Sequence, residues 1–327
     1  MSLHSDYTEN LKIKNTQQYD PLNIKGLFLA KKEPHYYKGG LTRSNKIKQG
    51  FGIIIWESDN STFESIFYNN KANGYGKFKC GPNMFCGEYR DSRPYGYGIF
   101  SIKENKEVNE IEGIWCNNIL NGIGFSRLNN KICYEGEYKN SVKEGYGKYK
   151  WPDGTIYEGE WKNDLMNGFG IIQYSDGSKY EGEVKDGFMH GCGEYTWKDG
   201  TKYIGSYENN LREGFGIMVW NFKDFQSYIG LWHKGKMNGV GMKVSGDQRK
   251  FGEWKAGVKE KWLKNRKSIK KWINEKRAES CNTKSRSSND SSSDNDDNVD
   301  YSNLYVKKFY QMLKKDLREI KKFLKKK

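Results

Sequence analysis

The sequence has little proline, few aliphatic residues and no long apolar run. Pro occurs 5 times in 327 residues, and hydrophobic residues make up 35%. So thin an aliphatic supply argues against two conventional layered domains, the expectation from length alone. No stretch approaches the roughly 18 apolar residues of a membrane-spanning helix. The N-terminal run MSLHSDYTENLKIKN is polar, with no apolar signal segment, and Ser2 stands where myristoylation requires Gly. Histidine is also scarce: His4, His35, His190 and His233 are too scattered to form a ligand set. None of Cys80, Cys86, Cys116, Cys133, Cys192 and Cys281 has Cys-x-x-Cys spacing, so neither a metal nor a cofactor is expected. Their scatter fits reduced thiols in a cytoplasmic protein, and Cys192, at an aromatic position of the repeat described below, is expected to pack.

Glycine and aromatic residues are plentiful, at 37 Gly and 15% aromatics. Thirty-six of the glycines lie between Gly39 and Gly257. Gly-x-Gly pairs begin at Gly50, Gly74, Gly96, Gly122, Gly145, Gly168, Gly191, Gly214 and Gly239, at intervals of 22 to 26 residues. A fixed period of this size marks a repeat array. The clearest copies are YEGEYKNSVKEGYGKYKWPDGT from Tyr134, YEGEWKNDLMNGFGIIQYSDGS from Tyr157 and YEGEVKDGFMHGCGEYTWKDGT from Tyr180. Two more start at Tyr203 and Tyr228, and degenerate ones near Tyr37, Phe63, Phe85 and Ile111. A truncated copy begins at Phe251, which makes nine copies and a half.

Each copy reads as a β-hairpin. Strand alternation puts both aromatics and the Gly of YEGEW on one face and the two Glu on the other. A turn around Lys-Asn-x follows, then a Gly-x-Gly strand. Asp153-Gly154, Asp176-Gly177 and Asp199-Gly200 supply tight turns into the next hairpin. Glycine recurring inside strands marks close approach to the backbone, here by a ring. Rings on glycines would then replace an aliphatic core, with stability shared between neighbours.

The unit YEGEWKN-x-x-x-x-GYG-x-x-x-x-x-DG-[ST] resembles the MORN repeat, over roughly residues 36–257. The early copies depart from it: Ser65 replaces the first-strand Gly, Cys86 replaces a Glu, and an insert lies around Ile102–Asn109. The resemblance implies an all-β repeat array, an elongated, twisted antiparallel sheet of hairpins with a groove along one face. It also implies scaffolding at cytoskeletal, ciliary, flagellar or membrane-junction structures. MORN arrays occur fused to lipid kinase and methyltransferase domains, but the 35 residues before this array and the 70 after it are too short for either.

No residue pattern points to catalysis. Gly76-Lys77, Gly147-Lys148 and Gly235-Lys236 lack the remainder of a P-loop. The pairs Glu135/Glu137, Glu158/Glu160 and Glu181/Glu183 recur in every good copy, as a solvated ladder facing lysines would and a single active site would not. The chain is therefore expected not to be an enzyme.

The net charge of +15 is concentrated in residues 258–327, which hold 21 Lys and Arg against 10 Asp and Glu, or +11. Residues 258–280 are expected to form a basic amphipathic helix, with Val258, Trp262, Ile269, Trp272 and Ile273 near one face. A calmodulin-type target or a nuclear import signal are lesser readings of it. Residues 281–300 read as a disordered Ser/Asn/Asp linker, in which Ser287, Ser291 and Ser293 have acidic residues three positions on. Residues 301–327 read as a second basic amphipathic helix, with Val306, Phe309, Tyr310, Leu313, Leu317, Ile320 and Leu324 as its stripe. That stripe suits docking on the repeats or self-association into a homo-oligomer. Lys314, Lys315, Arg318, Lys321, Lys322 and Lys325 are the candidates for binding anionic lipid. Basic charge and interleaved aromatics do not coincide, which argues against nucleic acid.

The sequence thus describes a non-enzymatic scaffold whose repeat groove holds a helix or peptide of a partner protein. The groove candidates are Tyr157, Trp161, Tyr180, Trp197, Tyr203, Tyr207, Trp220, Tyr228 and Trp232. The alternative is a peripheral membrane protein held on anionic phospholipid by its C-terminal helices. The N-terminal residues 1–35 form an extension to the array.

Overall fold

The computed structural model describes residues 35–104, 107–221 and 226–263. Among these, twenty β-strands form one antiparallel sheet, with no helix. The described residues fall into two compact units: 35–175 with 184–187, and 176–183 with 188–263. The first holds β1 (His35–Leu41), β2 (Lys48–Trp56), β3 (Thr62–Tyr68), β4 (Lys71–Cys80), β5 (Asn83–Arg90), β6 (Arg93–Glu104), β7 (Glu107–Cys116), β8 (Ile119–Leu128), β9 (Lys131–Lys139), β10 (Val142–Lys150), β11 (Ile156–Lys162) and β12 (Leu165–Gln173). β13 (Lys179–Lys185) contributes residues to both units. The second holds β14 (Phe188–Thr196), β15 (Lys202–Glu208), β16 (Leu211–Asn221), β17 (Gln226–His233), β18 (Lys236–Ser245), β19 (Gln248–Lys255) and β20 (Val258–Trp262).

Two kinds of turn alternate. Between the strands of a copy lies a two-residue turn with both residues at positive φ, such as Asn140-Ser141 (53° and 67°) and Asn163-Asp164 (49° and 64°). This is the type I′ hairpin turn that Asn, Asp and Gly favour. The Asp-Gly link between copies is longer. Around Asp153-Gly154 only the glycine is left-handed, Trp151 N–H donates to Thr155 C=O (2.9 Å), and the Asp153 carboxylate accepts from Thr155 N–H (2.9 Å). Successive I′ turns also clasp one another. Asp164 N–H donates to Lys143 C=O (3.0 Å), and Lys143 N–H donates back to the Asp164 carboxylate (2.8 Å). Ser141 with Leu120, and Ser92 with Ala72, repeat the exchange.

The glycines of a Gly-x-Gly pair serve different ends. Gly168 sits at φ +82° in a β-bulge, where the register of β11 against β12 shifts between Gly159 and Trp161. Gly170 lies under the Tyr157 ring: a Cβ there would be 2.6 Å from Tyr157 Cζ. Tyr157 lies fully buried over the paired Gly159 and Gly170, and its hydroxyl donates to Glu160 C=O at 2.7 Å. Tyr134, Tyr180, Tyr203 and Tyr228 make the same bond three residues on, at 3.0, 2.6, 3.1 and 3.2 Å.

These rings join through the second aromatic of the motif. In the first unit Trp161 meets both Tyr157 (5.3 Å) and Tyr134 (5.4 Å) edge-on. In the second unit Trp232 meets Tyr228 (5.5 Å) and Tyr203 (5.3 Å), and Trp254 meets Tyr228 (4.9 Å). Each such pair adds about 0.5–1.5 kcal/mol beyond its buried area. Within each unit these copies therefore lean on their neighbours.

Cations intrude on this core, among them Lys143 in the first unit and Arg212 in the second, whose guanidinium lies 4.5 Å from the Trp232 ring centre. Lys143 Nζ lies 5.3 Å from the Tyr134 and Tyr149 ring centres and 5.5 Å from that of Trp161, with the Asp164 carboxylate 3.9 Å away. Met166 and Met189 hold the matching place in later copies, two residues before the Gly-x-Gly pair. Burial pushes the Lys143 ammonium below its usual range, and Asp164 only partly restores it. We therefore expect Lys143→Met to unfold at an unchanged or higher urea concentration at neutral pH, since an apolar side chain usually replaces a buried charge without loss. The native chain should also gain stability as pH rises through the depressed folded pKa, where only the unfolded state still holds the proton. The variant should lose that gain; an unfolding free energy lowered by more than about 1 kcal/mol would show the cation to be a net stabiliser.

At the C-terminal end the structure corrects the sequence reading. Val258–Trp262, expected to open a helix, is strand β20, and it pairs with β19 from Lys255↔Val258 to Gly252↔Trp262. The cause is the turn at Ala256 (φ 49°) and Gly257 (φ 89°), which folds the segment back on the open edge of β19. Trp262 then meets Trp254 edge-on at 5.9 Å. Leu263 is described and is not helical; residues 264–280, the linker and the helix of residues 301–327 lie outside the described residues, as do all the candidate lipid-binding and self-association positions.

Candidate binding surface

The two faces of the sheet differ in what they leave open. The ring-and-glycine face is filled by its own side chains. Tyr157, Tyr180, Tyr203 and Tyr228 are fully buried, and Trp161, Tyr207 and Trp232 nearly so. These seven of the nine groove candidates hold copies together and have almost no surface to offer a partner. Trp197 and Trp220 are half-buried and keep some. Trp197 packs on Tyr195 (4.7 Å) and has the Arg212 guanidinium 5.8 Å from its ring centre.

The opposite face carries the residue between the two glycines of each pair. In the unit of residues 35–175 these are Phe51, Tyr75, Tyr97, Ile123, Tyr146 and Phe169, all between 48% and 64% exposed. Strand pairing lines them up across the sheet. Phe51 is opposite Ile66 and Tyr97 opposite Ile114, both isoleucines half exposed. Tyr75, Ile123 and Tyr146 stand opposite Glu88, Glu137 and Glu160. With strands about 4.8 Å apart, one such residue recurs roughly every 10 Å. Cys192 has the same place in the next copy and is exposed, contrary to the packing expected of it. A partner reading this face would meet apolar side chains at a regular step, separated by charge.

The carboxylates on this face have defined work. Glu137, Glu160 and Glu183 accept the backbone N–H of the central residues Tyr146, Phe169 and Cys192, at 3.0, 2.9 and 3.0 Å. They satisfy the donor that each bulge leaves unpaired in the sheet. The first glutamates pair with lysines: Lys148–Glu158 is 3.4 Å and Lys179–Glu181 3.0 Å. The ladder expected from the sequence is present, with the added role of holding the bulge. Near Tyr97, its hydroxyl and then the Arg127 guanidinium hold the Glu112 carboxyl below the usual range.

The groove candidates expected from the sequence do not include this exposed row, because the residue between the two glycines is given no binding role there. The available signal was the aromatic or aliphatic residue between two glycines, repeated where a solvated strand face would carry polar groups. Among the described residues no group of three His, Cys, Asp or Glu is placed to hold a metal ion, and Cys80, Cys86, Cys116 and Cys133 are free thiols. Burial, the largest influence on it, raises the Cys86 thiol.

Comparison with known families accords with this geometry. A family model for the MORN repeat matches residues 63–83, 134–156, 157–179, 180–202, 203–221 and 228–248. The matched copies number six, so the count of nine is approximate. Outside the match, the Tyr37 ring lies over Gly52 and Phe85 over Gly98, as in the matched copies. The copy from Ile111 has no such ring, and Tyr138 of β9 approaches Gly124 instead. No curated protein matches the chain. The MORN repeat is a non-catalytic module. Its recurrence between residues 63 and 248, in a run of hairpins with rings seated on paired glycines, makes this chain a MORN-repeat protein.

Proposed function

We propose that the chain is a non-enzymatic scaffold that holds a segment of a partner protein along the exposed row of residues 35–175. The observation that carries this reading is the row itself: six central residues, each about half open or more, on successive hairpins of one unit. Ordered apolar side chains on a charged surface are a usual mark of an interaction site. The glutamates and lysines between them would set register and exclude mismatched partners. The proposed setting is cytoplasmic, at a cytoskeletal, ciliary, flagellar or membrane-junction structure, as resemblance to other MORN arrays implies.

Tyr75→Ser, Tyr146→Ser and Phe169→Ser combined should leave folding almost unchanged, because exposed substitutions cost within about 0.5 kcal/mol each. Proximity labelling of the full chain in its own cell should then lose at least one reproducible protein neighbour by about tenfold, the effect of 1.4 kcal/mol. An unchanged set of neighbours would exclude the row as the binding surface. A second reading, attachment to anionic lipid, draws on the +11 of residues 258–327. Vesicles of anionic phospholipid should in that case sediment the native chain but not one with Lys314, Lys315, Arg318, Lys321, Lys322 and Lys325 replaced by Gln.

A further inference from the structure

In the unit of residues 176–183 and 188–263, the face that carries the exposed row elsewhere changes character. Where earlier copies read YEGE, these read YIGS and YIGL, so Ile204, Ser206, Ile229 and Leu231 stand in place of glutamates. On the following strands Phe215, Ile217, Val219, Val240, Met242 and Val244 replace alternations such as Tyr146-Gly-Lys148. Phe215 and Val240 are the central residues of their Gly-x-Gly pairs, yet they are 8% and 1% exposed. With Ile217, Val219, Ile229, Met242 and Val244 they form one buried cluster, against which Leu231, Phe251 and Leu263 pack. The ring-and-glycine core occupies the other face of these strands, with Tyr203, Tyr228 and Trp232 buried there. This part of the sheet is therefore apolar on both faces, and a sheet buried on both faces is the middle layer of three.

Leu263 shows where the third layer begins. It follows β20 directly, its N–H donates to Phe251 C=O (2.8 Å), and its side chain lies on the cluster. The chain thus leaves the described residues on the apolar face. The next 16 residues, KNRKSIKKWINEKRAE, contain Ile269, Trp272 and Ile273 at helical spacing among 7 basic and 2 acidic residues. Sixteen helical residues span about 24 Å, more than the three gaps between β16 and β19 that the cluster crosses, about 14 Å. One short amphipathic helix is long enough to cover that width, with its lysines left toward solvent.

We propose that residues 264–279 fold back over β16–β19 and seat Ile269, Trp272 and Ile273 on the Phe215–Val240–Met242 cluster. The segment is then the built-in cover of this face, which confines partner binding to the uncovered row of residues 35–175. The cover and the partner row are separate surfaces, so either can fail alone.

A photoreactive phenylalanine analogue at position 215 of the full chain tests the proposal, with crosslinked peptides located by mass spectrometry. The expected product joins position 215 to residues 264–279, and Ile269→Asp with Ile273→Asp should reduce it at least tenfold. The same analogue at position 272 should crosslink back to β16–β19, which guards against a local defect at 215. Crosslinks to residues 1–34, to 301–327 or to a second copy of the chain would overturn the proposal, as would no crosslink from either position. Unchanged amide exchange in β3–β12 identifies loss of the crosslink as undocking rather than unfolding.

Discussion

Gly170→Val will lower the stability of the chain by about 3–5 kcal/mol, the cost of expelling a large aromatic side chain from a core. A Cβ at this position would lie 2.6 Å from Tyr157 Cζ, and one at the paired Gly159 would touch Gly170 Cα at 2.5 Å. Neither obstacle is a flexible side-chain end, because the ring is held by Trp161 and by its bond to the Glu160 carbonyl. The side chain enters only if the Tyr157 ring leaves its seat. Gly200→Ala provides the contrast. It carries φ +83° with no atom within 4 Å of its missing Cβ, so only backbone strain of about 1–2 kcal/mol is expected. Urea unfolding of both variants decides the matter: equal losses would mean that the glycines are required for turn geometry and not for seating rings. The chain already contains a partial version of the experiment. Where Ser65 replaces the first-strand glycine, Gly76 faces the serine and Phe63 packs instead on Phe78 (6.2 Å) and Tyr89 (4.8 Å).

Alkaline solution will unfold the chain steeply, beginning near pH 10. Burial raises the phenols of Tyr89, Tyr134, Tyr138, Tyr157, Tyr195, Tyr207 and Tyr228 above their ordinary value of 10.0. Above pH 10 the unfolded chain releases these protons while the folded chain retains them. The stability they contribute is therefore intact below pH 10 and is lost as pH rises toward the folded values. Each fully buried phenol contributes at most about 1.4 kcal/mol per pH unit in that window. Seven together can remove several kcal/mol by pH 11, against a total stability of about 5–15 kcal/mol. Lys143 and Lys48, both lowered by burial, act with the opposite sign but are fewer. The tyrosinate absorbance of the buried phenols should appear over the same pH interval in which strand circular dichroism is lost. Phenols that ionise well before the strands melt would show the rings to be solvated. Tyr157→Phe should make the alkaline decline shallower by one proton, while losing the hydroxyl bond to Glu160 at all pH values.

Much of this architecture could be read from residue order. The Gly-x-Gly period, the two strand patterns and the Asn-x turns follow from local chemistry: which residues tolerate positive φ, and which alternate on a pleat. Seating a ring on a glycine was also legible, because a strand that repeatedly gives up a side chain must accept something else. The helix expected from Val258 was not sound. An unpaired β19 edge and the Ala256-Gly257 turn outweighed helical periodicity over Val258–Trp262.

Which rings face outward depended on pairing. Alternation places Tyr146 opposite its two glycines, but the register Gly147↔Gly136 and Gly147↔Gly159 decides which sheet face those glycines occupy. A slip of one residue would reverse the assignment. Residue order alone establishes a MORN array built from rings and glycines, because those properties reside within each copy. That most of the expected groove rings are internal, that Phe51 through Phe169 are external and that Phe215 and Val240 are buried emerges only from the packed sheet. Exposure is a property of layers, and the residues that make a layer come from neighbouring copies and from beyond the repeat.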